Sequence, residues 1–173
     1  RVDIALLAPN ANAVAIKDGH TDVFAKIINK GGVKDYHSLM MAKKDSGIKS
    51  FDDVKNNPGK YSFSYGRTLS NFGTLLPQYF FFHHKIDPYE HFKLVEHNDY
   101  IPIIEKLFNG DLDIVISDTT YVCNDLFDKA STRKDDCRFL KSFSEEQLNK
   151  ISILWKSPPI VMNTLAYKRS LDD

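Results

Sequence analysis

The sequence predicts an α/β fold with a mainly parallel sheet. Short apolar segments alternate with segments of helical pattern through the whole chain, and clusters of Gly, Pro, Asn and Asp separate them. No internal repeat, low-complexity tract or coiled-coil heptad interrupts this alternation. The chain has 173 residues, of which 42% are hydrophobic and 27% charged, so it has enough apolar side chains for a packed core. In such folds, ligands bind in crevices at the carboxyl ends of strands.

The first 65 residues contain four predicted strands, each an apolar run that ends at turn residues. They are residues 2–8, 24–28, 36–42 and 61–65. The last of them alternates aromatic and Ser side chains, which is typical of a strand. Residues 9–12 are turn-like and lead into a helical segment rich in Ala, Val and Ile. Ser50 caps a predicted short helix over residues 51–54.

The rest of the chain continues the same alternation. A loop over residues 66–71 leads into a predicted helix over 72–84, and a helix over 100–109 ends at Gly110. The other predicted helices cover 120–129 and a segment that begins at Ser144. The remaining predicted strands are residues 92–95, 114–116, 139–140 and 151–155. At the end of the chain, residues 165–173 pass from a strand or loop into the first turn of a helix.

Charge and hydropathy exclude several classes of partner. Twenty-three Lys and Arg residues balance 23 Asp and Glu residues, so the formal net charge is zero. A surface that holds nucleic acid by its overall charge needs clustered cations that displace counterions from phosphates. No apolar run approaches the roughly 20 residues that cross a bilayer. We therefore expect no nucleic-acid partner and no membrane-spanning segment in these residues.

The ends of the chain suggest a piece of a longer protein. The sequence begins at Arg1 and enters a strand at once, without a signal-peptide pattern ahead of it. Cys123 and Cys137 are separated by a polar stretch and have no nearby His, so a four-ligand zinc site is not expected there. Two free thiols or one disulfide remain the alternatives. Neither a metal nor a cofactor is predicted.

Residues 63–74 form the most informative segment. A strand ends, a loop dense in hydroxyl and amide side chains follows, and a helix begins with unpaired N–H groups and the positive end of its dipole. An oxyanion would be held there by backbone N–H groups with Thr68, Ser70 and Asn71, and Arg67 would add positive charge. The alternative is that Ser70 or Asn71 only caps the helix.

Several motifs occur in the order typical of one protein family. They are residues 36–48, which end in Asp-Ser-Gly-Ile, then 51–55, the Gly66 to Pro77 loop and helix, 86–88, 97–99, 109–113 and 155–160. As an ordered set these motifs resemble the phosphonate-type periplasmic substrate-binding proteins of ABC transporters. The likeness covers nearly the entire chain.

The resemblance implies a type II periplasmic binding protein fold, with two lobes joined by two crossing strands and a ligand clamped between them. Residues 1–35 would belong to the first lobe, 36–153 to the second lobe and 154–173 to the return into the first. It further implies an extracytoplasmic or periplasmic location, with a lipid anchor as one arrangement in the full-length protein. The membrane component of an ABC transporter is the implied partner.

The resemblance also assigns roles to individual residues. Thr68, Ser70 and Asn71 match the loop that holds the phosphonate or phosphate group. His97 matches a His that reaches the ligand, which it is expected to do from the start of the next helix. Asp118 lies where an acidic side chain can meet a ligand amine or hydroxyl. On spacing alone, His97 is a solvated side chain beside a helix cap, and Asp118 caps the helix after its strand.

The first lobe is implied to contribute Asn10, Asn12 and Tyr36. Asn10 and Asn12 lie in a loop that commonly presents a Tyr at the place of Asn12, and Tyr36 sits at the first crossing. The anion loop also departs from the family, because it contains Thr-Leu-Ser-Asn in place of Ser-Thr-Ser-Gly. Both departures leave the ligand open among phosphonate, phosphate, phosphite and related oxyanions.

Three functions follow from these observations. The favoured one is an extracytoplasmic solute-binding protein of an ABC importer. The alternatives are a ligand-sensing domain of a receptor or histidine kinase, and an enzyme on a similar two-lobed scaffold. The sequence contains no nucleophile elbow, Walker A loop or His-Glu-x-x-His motif, so we expect a binding protein and not an enzyme.

Overall fold

The computed structural model describes residues 2–28, 34–122 and 138–171. The chain divides into two compact units, one of residues 1–36 with 159–173 and the other of residues 37–158. We call them the small unit and the large unit. Cys123 and Cys137 lie outside the described residues, so the disulfide and the two free thiols both stay predictions.

The described residues contain ten strands and seven α-helices. The strands are β1 Ile4–Leu7, β2 Thr21–Lys26, β3 Asp35–Tyr36, β4 Ser38–Lys43, β5 Ser62–Tyr65, β6 Leu94–His97, β7 Ile114–Asp118, β8 Ile151–Lys156, β9 Ile160–Val161 and β10 Thr164–Lys168. The helices are α1 Pro9–Lys17, α2 Phe51–Lys55, α3 Leu76–His83, α4 Pro88–His91, α5 Tyr100–Asn109, α6 Thr119–Val122 and α7 Glu145–Leu148. A π-helical segment, Asn71–Leu75, runs directly into α3.

The small unit contains a three-stranded antiparallel sheet of order β1-β10-β2. Helix α1 connects β1 to β2 and begins at Pro9, whose fixed φ suits a first helical turn. A separate two-stranded antiparallel ladder pairs β3 with β9, with Tyr36 opposite Ile160. All three strand pairings of this unit therefore join segments that are distant in sequence.

The large unit is built on a five-stranded sheet of order β6-β5-β7-β4-β8. Strand β5 pairs in parallel with β6 and β7, whereas β4 pairs antiparallel with β7 and β8. The sheet is thus mixed, and the prediction of a mainly parallel sheet was wrong in this respect. Strand β4 is buried along Ser38 to Ala42, as a parallel strand usually is, so its continuous apolar sequence carries no sign of its direction.

Alternating residues of β4 enter two different core clusters of the large unit. Leu39 and Met41 pack in one cluster with Ile103 and Leu107 of α5. Met40 and Ala42 pack in the other cluster, which contains the aromatic side chains Phe63, Tyr65, Phe81 and Phe92. Because neighbouring side chains of a strand point to opposite faces, the sheet is covered by apolar side chains on both sides.

The local predictions were mostly accurate in the large unit. Helix α5 has the predicted bounds, with Gly110 in the left-handed conformation after it, and Ser50 caps α2 through a capping box. Four local predictions were wrong. In the small unit, residues 9–12 form the start of α1 and not a turn, and β2 begins three residues earlier than predicted. In the large unit, the predicted strand at 139–140 is a 3-10 helix, Phe139–Lys141, and β6 lies two residues later than predicted. In the short apolar run at 139–140, strand and helix patterns look alike.

Candidate functional site

The candidate site lies at one edge of the large unit's sheet. Strands β5, β6 and β7 are parallel, so their carboxyl ends meet at the same edge. Tyr65 and His97 are register partners at the ends of β5 and β6, and Asp118 is the last residue of β7. Six of the predicted site residues therefore lie at these strand ends or in the loop that follows β5: Arg67, Thr68, Ser70, Asn71, His97 and Asp118.

The loop after β5 is held by its own hydrogen bonds. The Gly66 N–H donates to the carbonyl of Gly73 at 2.8 Å, and the Thr74 hydroxyl donates to the carbonyl of Arg67 at 2.9 Å. Ser70 accepts the Gly73 N–H at 3.1 Å, which makes it the cap of the π-helical segment. The capping role that was the alternative for Ser70 is therefore present, and it fixes the position of the Ser70 hydroxyl.

Tyr100, the first residue of α5, packs against this loop. Its hydroxyl donates to Ser70 Oγ at 3.0 Å, and the residue is only 4% exposed. A Cβ on Gly66 would lie 2.3 Å from Tyr100 Cε1, and one on Gly73 would lie 2.5 Å from the Tyr100 hydroxyl. The Tyr100 ring can therefore approach the loop this closely only because Gly66 and Gly73 have no Cβ. Burial raises the pKa of Tyr100 to about 12, so the phenol stays protonated at neutral pH.

Arg67 and Thr68 are exposed on this loop, and Asn71 is half-buried. The Arg67 guanidinium pairs with the carboxylate of Asp99 and lies over the Tyr100 ring, 5.9 Å from its centroid. The positive charge predicted for this loop is present, but a carboxylate already neutralises part of it. An incoming anion would have to share Arg67 with Asp99.

Asp118 is 1% exposed, although it is a carboxylic acid. Its Oδ1 accepts the Thr120 N–H at 2.5 Å, so the predicted capping role is present. Burial nevertheless dominates and raises its pKa to about 6. A buried acid that ionises near neutral pH can change its charge in response to a cationic group placed beside it.

His97 ends strand β6 and does not begin a helix, which corrects the predicted location of this side chain. Its ring stacks on Tyr65, with the centroids 4.8 Å apart and the planes at 17°. Nε2 lies 3.5 Å from the Tyr89 hydroxyl. Within the described residues, His97 Nδ1 and the Tyr65 hydroxyl are buried and have no hydrogen-bond partner. Buried polar atoms normally have partners, so these two could bind a ligand or a water molecule.

Three predicted site residues belong to the small unit. Asn10 and Asn12 lie on α1, and Tyr36 lies on β3. Asn12 is 7% exposed, and its Oδ1 has no hydrogen-bond partner in the part of the chain that the structure describes. Tyr36 is buried beside its partner strand β9.

Sequence reasoning did not select Tyr65, Gly66, Gly73 and Tyr100 as site residues. Two glycines seven positions apart, on either side of a polar loop, are a signal for close approach by another group. The sequence does not show which group approaches, because Tyr100 lies about 30 residues later and meets the loop only through the sheet.

Residues 2–28, 34–122 and 138–171 contain no metal cluster and no membrane-spanning helix. No three His, Cys, Asp or Glu side chains come together there as a metal site. No helix in the same ranges is long and apolar enough to cross a bilayer.

A family model, a curated relative and a solved structure all point to the same protein family. Residues 1–173 match the family model described as ABC transporter, phosphonate, periplasmic substrate-binding protein. The chain belongs to this family. The matched relatives of this phosphonate-binding family are substrate-binding transport proteins and not enzymes.

Two relatives illustrate the extent of the match. The phosphonates-binding periplasmic protein of Escherichia coli K12 is 23% identical over 173 residues, which is 100% of this chain and 47% of that protein. A binding protein component of an ABC phosphonate transporter from Pseudomonas aeruginosa is 26% identical, with a TM-score of 0.73, over 99% of this chain and 52% of that one. The chain thus spans about half the length of these family members.

A second solved structure supports the fold alone. PhnD1 from Prochlorococcus marinus, solved in complex with methylphosphonate, matches 99% of this chain and 58% of that one with a TM-score of 0.66 and 16% identity. The predicted type II periplasmic binding protein fold, covered in part by this chain, is confirmed by these solved structures.

Proposed function

We propose that the full-length protein is the substrate-binding component of an ABC importer and that it binds a small phosphonate-type oxyanion at the carboxyl edge of β5, β6 and β7. The observation that carries this proposal is the convergence of Ser70, His97 and Asp118 at the ends of three parallel strands. Membership of the phosphonate-binding family supports the class of ligand.

The oxyanion would dock on the loop after β5. The N–H groups of Gly73, Thr74 and Leu75 already donate to Ser70. The proposed ligand donors of this loop are therefore the hydroxyl of Ser70 and the side chains of Thr68 and Asn71. The helix dipole contributes only about 0.3 to 1 kcal/mol. A micromolar dissociation constant corresponds to about −8 kcal/mol, so several charge-assisted hydrogen bonds must act together. Arg67 would add to them by sharing its charge between Asp99 and the ligand.

The other end of the ligand would face Asp118 and His97. A ligand amine beside Asp118 would favour the ionised carboxylate and so lower its pKa from about 6. A ligand hydroxyl would instead find an acceptor there. The buried Nδ1 of His97 provides one further polar atom for such a group.

The small unit is proposed to contribute Asn10, Asn12 and Tyr36, as the family resemblance implies. The buried Asn12 Oδ1, which has no hydrogen-bond partner among the described residues, supports a role for that amide. Phosphate and phosphite are proposed as further ligands of the same site. An extracytoplasmic location and docking to an ABC transporter's membrane component are proposed for the full-length protein on the same family grounds.

Isothermal titration calorimetry tests the proposal on the full-length protein that carries this sequence. The ligands are methylphosphonate, phosphate and phosphite, with a neutral sugar as the control. We expect heat of binding for at least one oxyanion, and Ser70→Ala should weaken it about 10- to 100-fold, since a hydrogen bond to a charged group contributes about 1.5 to 3 kcal/mol.

Ser144→Ala is the matched control. Ser144 also caps a helix in the large unit, but α7 precedes β8 and lies away from the strand ends that form the site. This variant should bind the oxyanion as the unmodified protein does. A folded protein that gives no heat with any of the three oxyanions would rule out the proposed function.

A further inference from the structure

The hydroxyl of Ser70 already accepts two hydrogen bonds. The Gly73 N–H donates to it at 3.1 Å, and the Tyr100 hydroxyl donates to it at 3.0 Å. A serine hydroxyl has two acceptor lone pairs and one proton to donate. Both acceptor positions are therefore filled from within the protein, and only the proton of Ser70 remains for a ligand.

The direction of the Tyr100 to Ser70 bond follows from acidity. A phenol, with an ordinary pKa of about 10, is a stronger donor than an aliphatic hydroxyl. The Tyr100 hydroxyl therefore donates to Ser70.

The packing keeps this arrangement in place. Tyr100 is 4% exposed, and the absence of a Cβ at Gly66 and Gly73 is what admits its ring to the loop. A phenol confined in this way cannot turn away from Ser70 without opening the loop.

We infer that Tyr100 is a positioning residue that fixes Ser70 as a pure hydrogen-bond donor, so this point of the site accepts an ionised ligand oxygen and disfavours a protonated one. The inference rests on the proposed function and refines it. The preferred ligand form is a phosphonate dianion, because all three of its oxygens can accept from Ser70, whereas a monoanion has only two such oxygens and half the charge.

A pH-based test has to separate ligand ionisation from protein titration. Several ionisable or charged groups belong to the segments around Tyr100 and Ser70: Arg67, Asp99, Asp118 and Tyr121, with His97 at the end of the strand that precedes α5. Any change in the charge of these groups acts alike on both phosphonates. In contrast, the pH at which the ligand takes up its second proton is set by the second pKa of the ligand. Fluorine substitution lowers that pKa.

The experiment measures calorimetric affinities of the full-length protein for methylphosphonate and difluoromethylphosphonate across the second ionisation of each. In the unmodified protein we expect the affinity to fall about tenfold or more as the ligand takes up its second proton, with a midpoint that follows the ligand. In Tyr100→Phe, one acceptor position of the Ser70 hydroxyl is open, so Ser70 can accept a hydrogen bond from a protonated ligand oxygen. The loss of affinity on ligand protonation should then shrink to a few-fold.

Tyr61→Phe is the matched control, since Tyr61 is a buried tyrosine that precedes β5 at the opposite end of that strand. It should keep the unmodified profile. If Tyr100→Phe fails to melt cooperatively, Ser70→Ala replaces it, because removal of the hydroxyl should flatten the same profile while Tyr100 and both glycines stay in place.

Two results would overturn the inference. One is a folded Tyr100→Phe variant with an unchanged profile, and the other is an unmodified protein whose midpoint does not follow the ligand. Absence of phosphonate binding at every pH would instead contradict the proposed function.

Discussion

The two units bury their strands very differently. All four residues of β5 and all five of β7 in the large unit are buried, and apolar clusters cover both faces of that sheet. In the small unit, Ile4, Leu6 and Phe24 are each more than half exposed, at 56%, 55% and 55%. The candidate anion site lies on the large unit, where the strands beneath it have little freedom to shift.

The difference shows what a polar site requires of its scaffold. The Ser70, Gly73 and Tyr100 contacts depend on positions accurate to a few tenths of an ångström, and close packing on both faces of a sheet supplies that accuracy. In residues 1–173 taken alone, several apolar side chains of the small unit's sheet are exposed, so within this segment its strands bury less apolar surface than those of the large unit. Four predictions test this contrast.

Removal of one aromatic ring from each unit should give the largest difference. Phe63 is fully buried and lies against Tyr65, Phe81 and Phe92, so Phe63→Ala should cost about 3 to 5 kcal/mol of unfolding free energy. In a protein of residues 1–173 alone, Phe24→Ala, at a ring that is 55% exposed, should cost less than about 1 kcal/mol. Urea denaturation of that protein is followed by Trp155 on β8, the single tryptophan of these residues, for the large unit and by circular dichroism for both units. Equal costs in the two variants would contradict the contrast.

The two units also contain carboxylates with opposite pH responses. Burial raises the pKa of Asp118 to about 6, so the folded state binds its proton more tightly than the unfolded state. The stability of the large unit should therefore fall as the pH rises from about 4 to about 6, by roughly 2 to 3 kcal/mol. Asp118→Asn should remove that fall, as measured by tryptophan-detected urea denaturation at each pH.

Asp22 in the small unit is the contrasting control. Its hydrogen bonds with Arg169 lower the pKa of this exposed carboxyl, so its stabilising effect is present above the ordinary value and is lost as the pH falls below it. Asp22→Asn should leave the range from pH 4 to pH 6 unchanged. An Asp118→Asn profile with the same slope as the unmodified protein would show that the carboxyl is not desolvated.

A methyl group on Gly66 should disturb the site more than the fold. Its Cβ would lie 2.3 Å from the ring of Tyr100, so Gly66→Ala forces α5 and the anion loop apart and should cost about 1 to 3 kcal/mol. Phosphonate affinity should fall at least about tenfold in the same variant, because Ser70 loses its position. Calorimetry and urea denaturation together measure both effects. Full affinity in a folded Gly66→Ala protein would mean that the loop does not need Tyr100 in contact.

Helix capping gives the smallest expected effects. Ser50 forms a capping box with Asp53 at the start of α2 in the large unit, so Ser50→Ala should destabilise that unit by about 1 kcal/mol. In the small unit, the cap residue of α1 is Ala8, which makes no side-chain hydrogen bond, and its extended backbone already suits a serine. Ala8→Ser should slow hydrogen exchange of the backbone amides in the first turn of α1, as measured by NMR. Faster exchange in this variant would contradict the proposed cap.

The accuracy of sequence reasoning differed from one feature to another for physical reasons. Ser50, Ser144 and Gly110 act through bonds to residues within a few positions, and these caps were predicted where they occur. The anion loop was found for the same reason, since Ser70 caps the segment that follows it. The directions of β4 and β8 were not predicted, because a run of buried apolar residues is compatible with either direction.

The sequence alone determined the family, the α/β alternation and the polar loop from Arg67 to Asn71, because each depends on the order or the local spacing of residues. Tertiary structure decided which distant groups meet that loop. It placed Tyr100 on Ser70, stacked His97 on Tyr65 and buried Asp118 at the end of β7. These contacts join segments about 30 residues or more apart, and only the pairing of parallel strands, which no local pattern encodes, brings their ends to one edge.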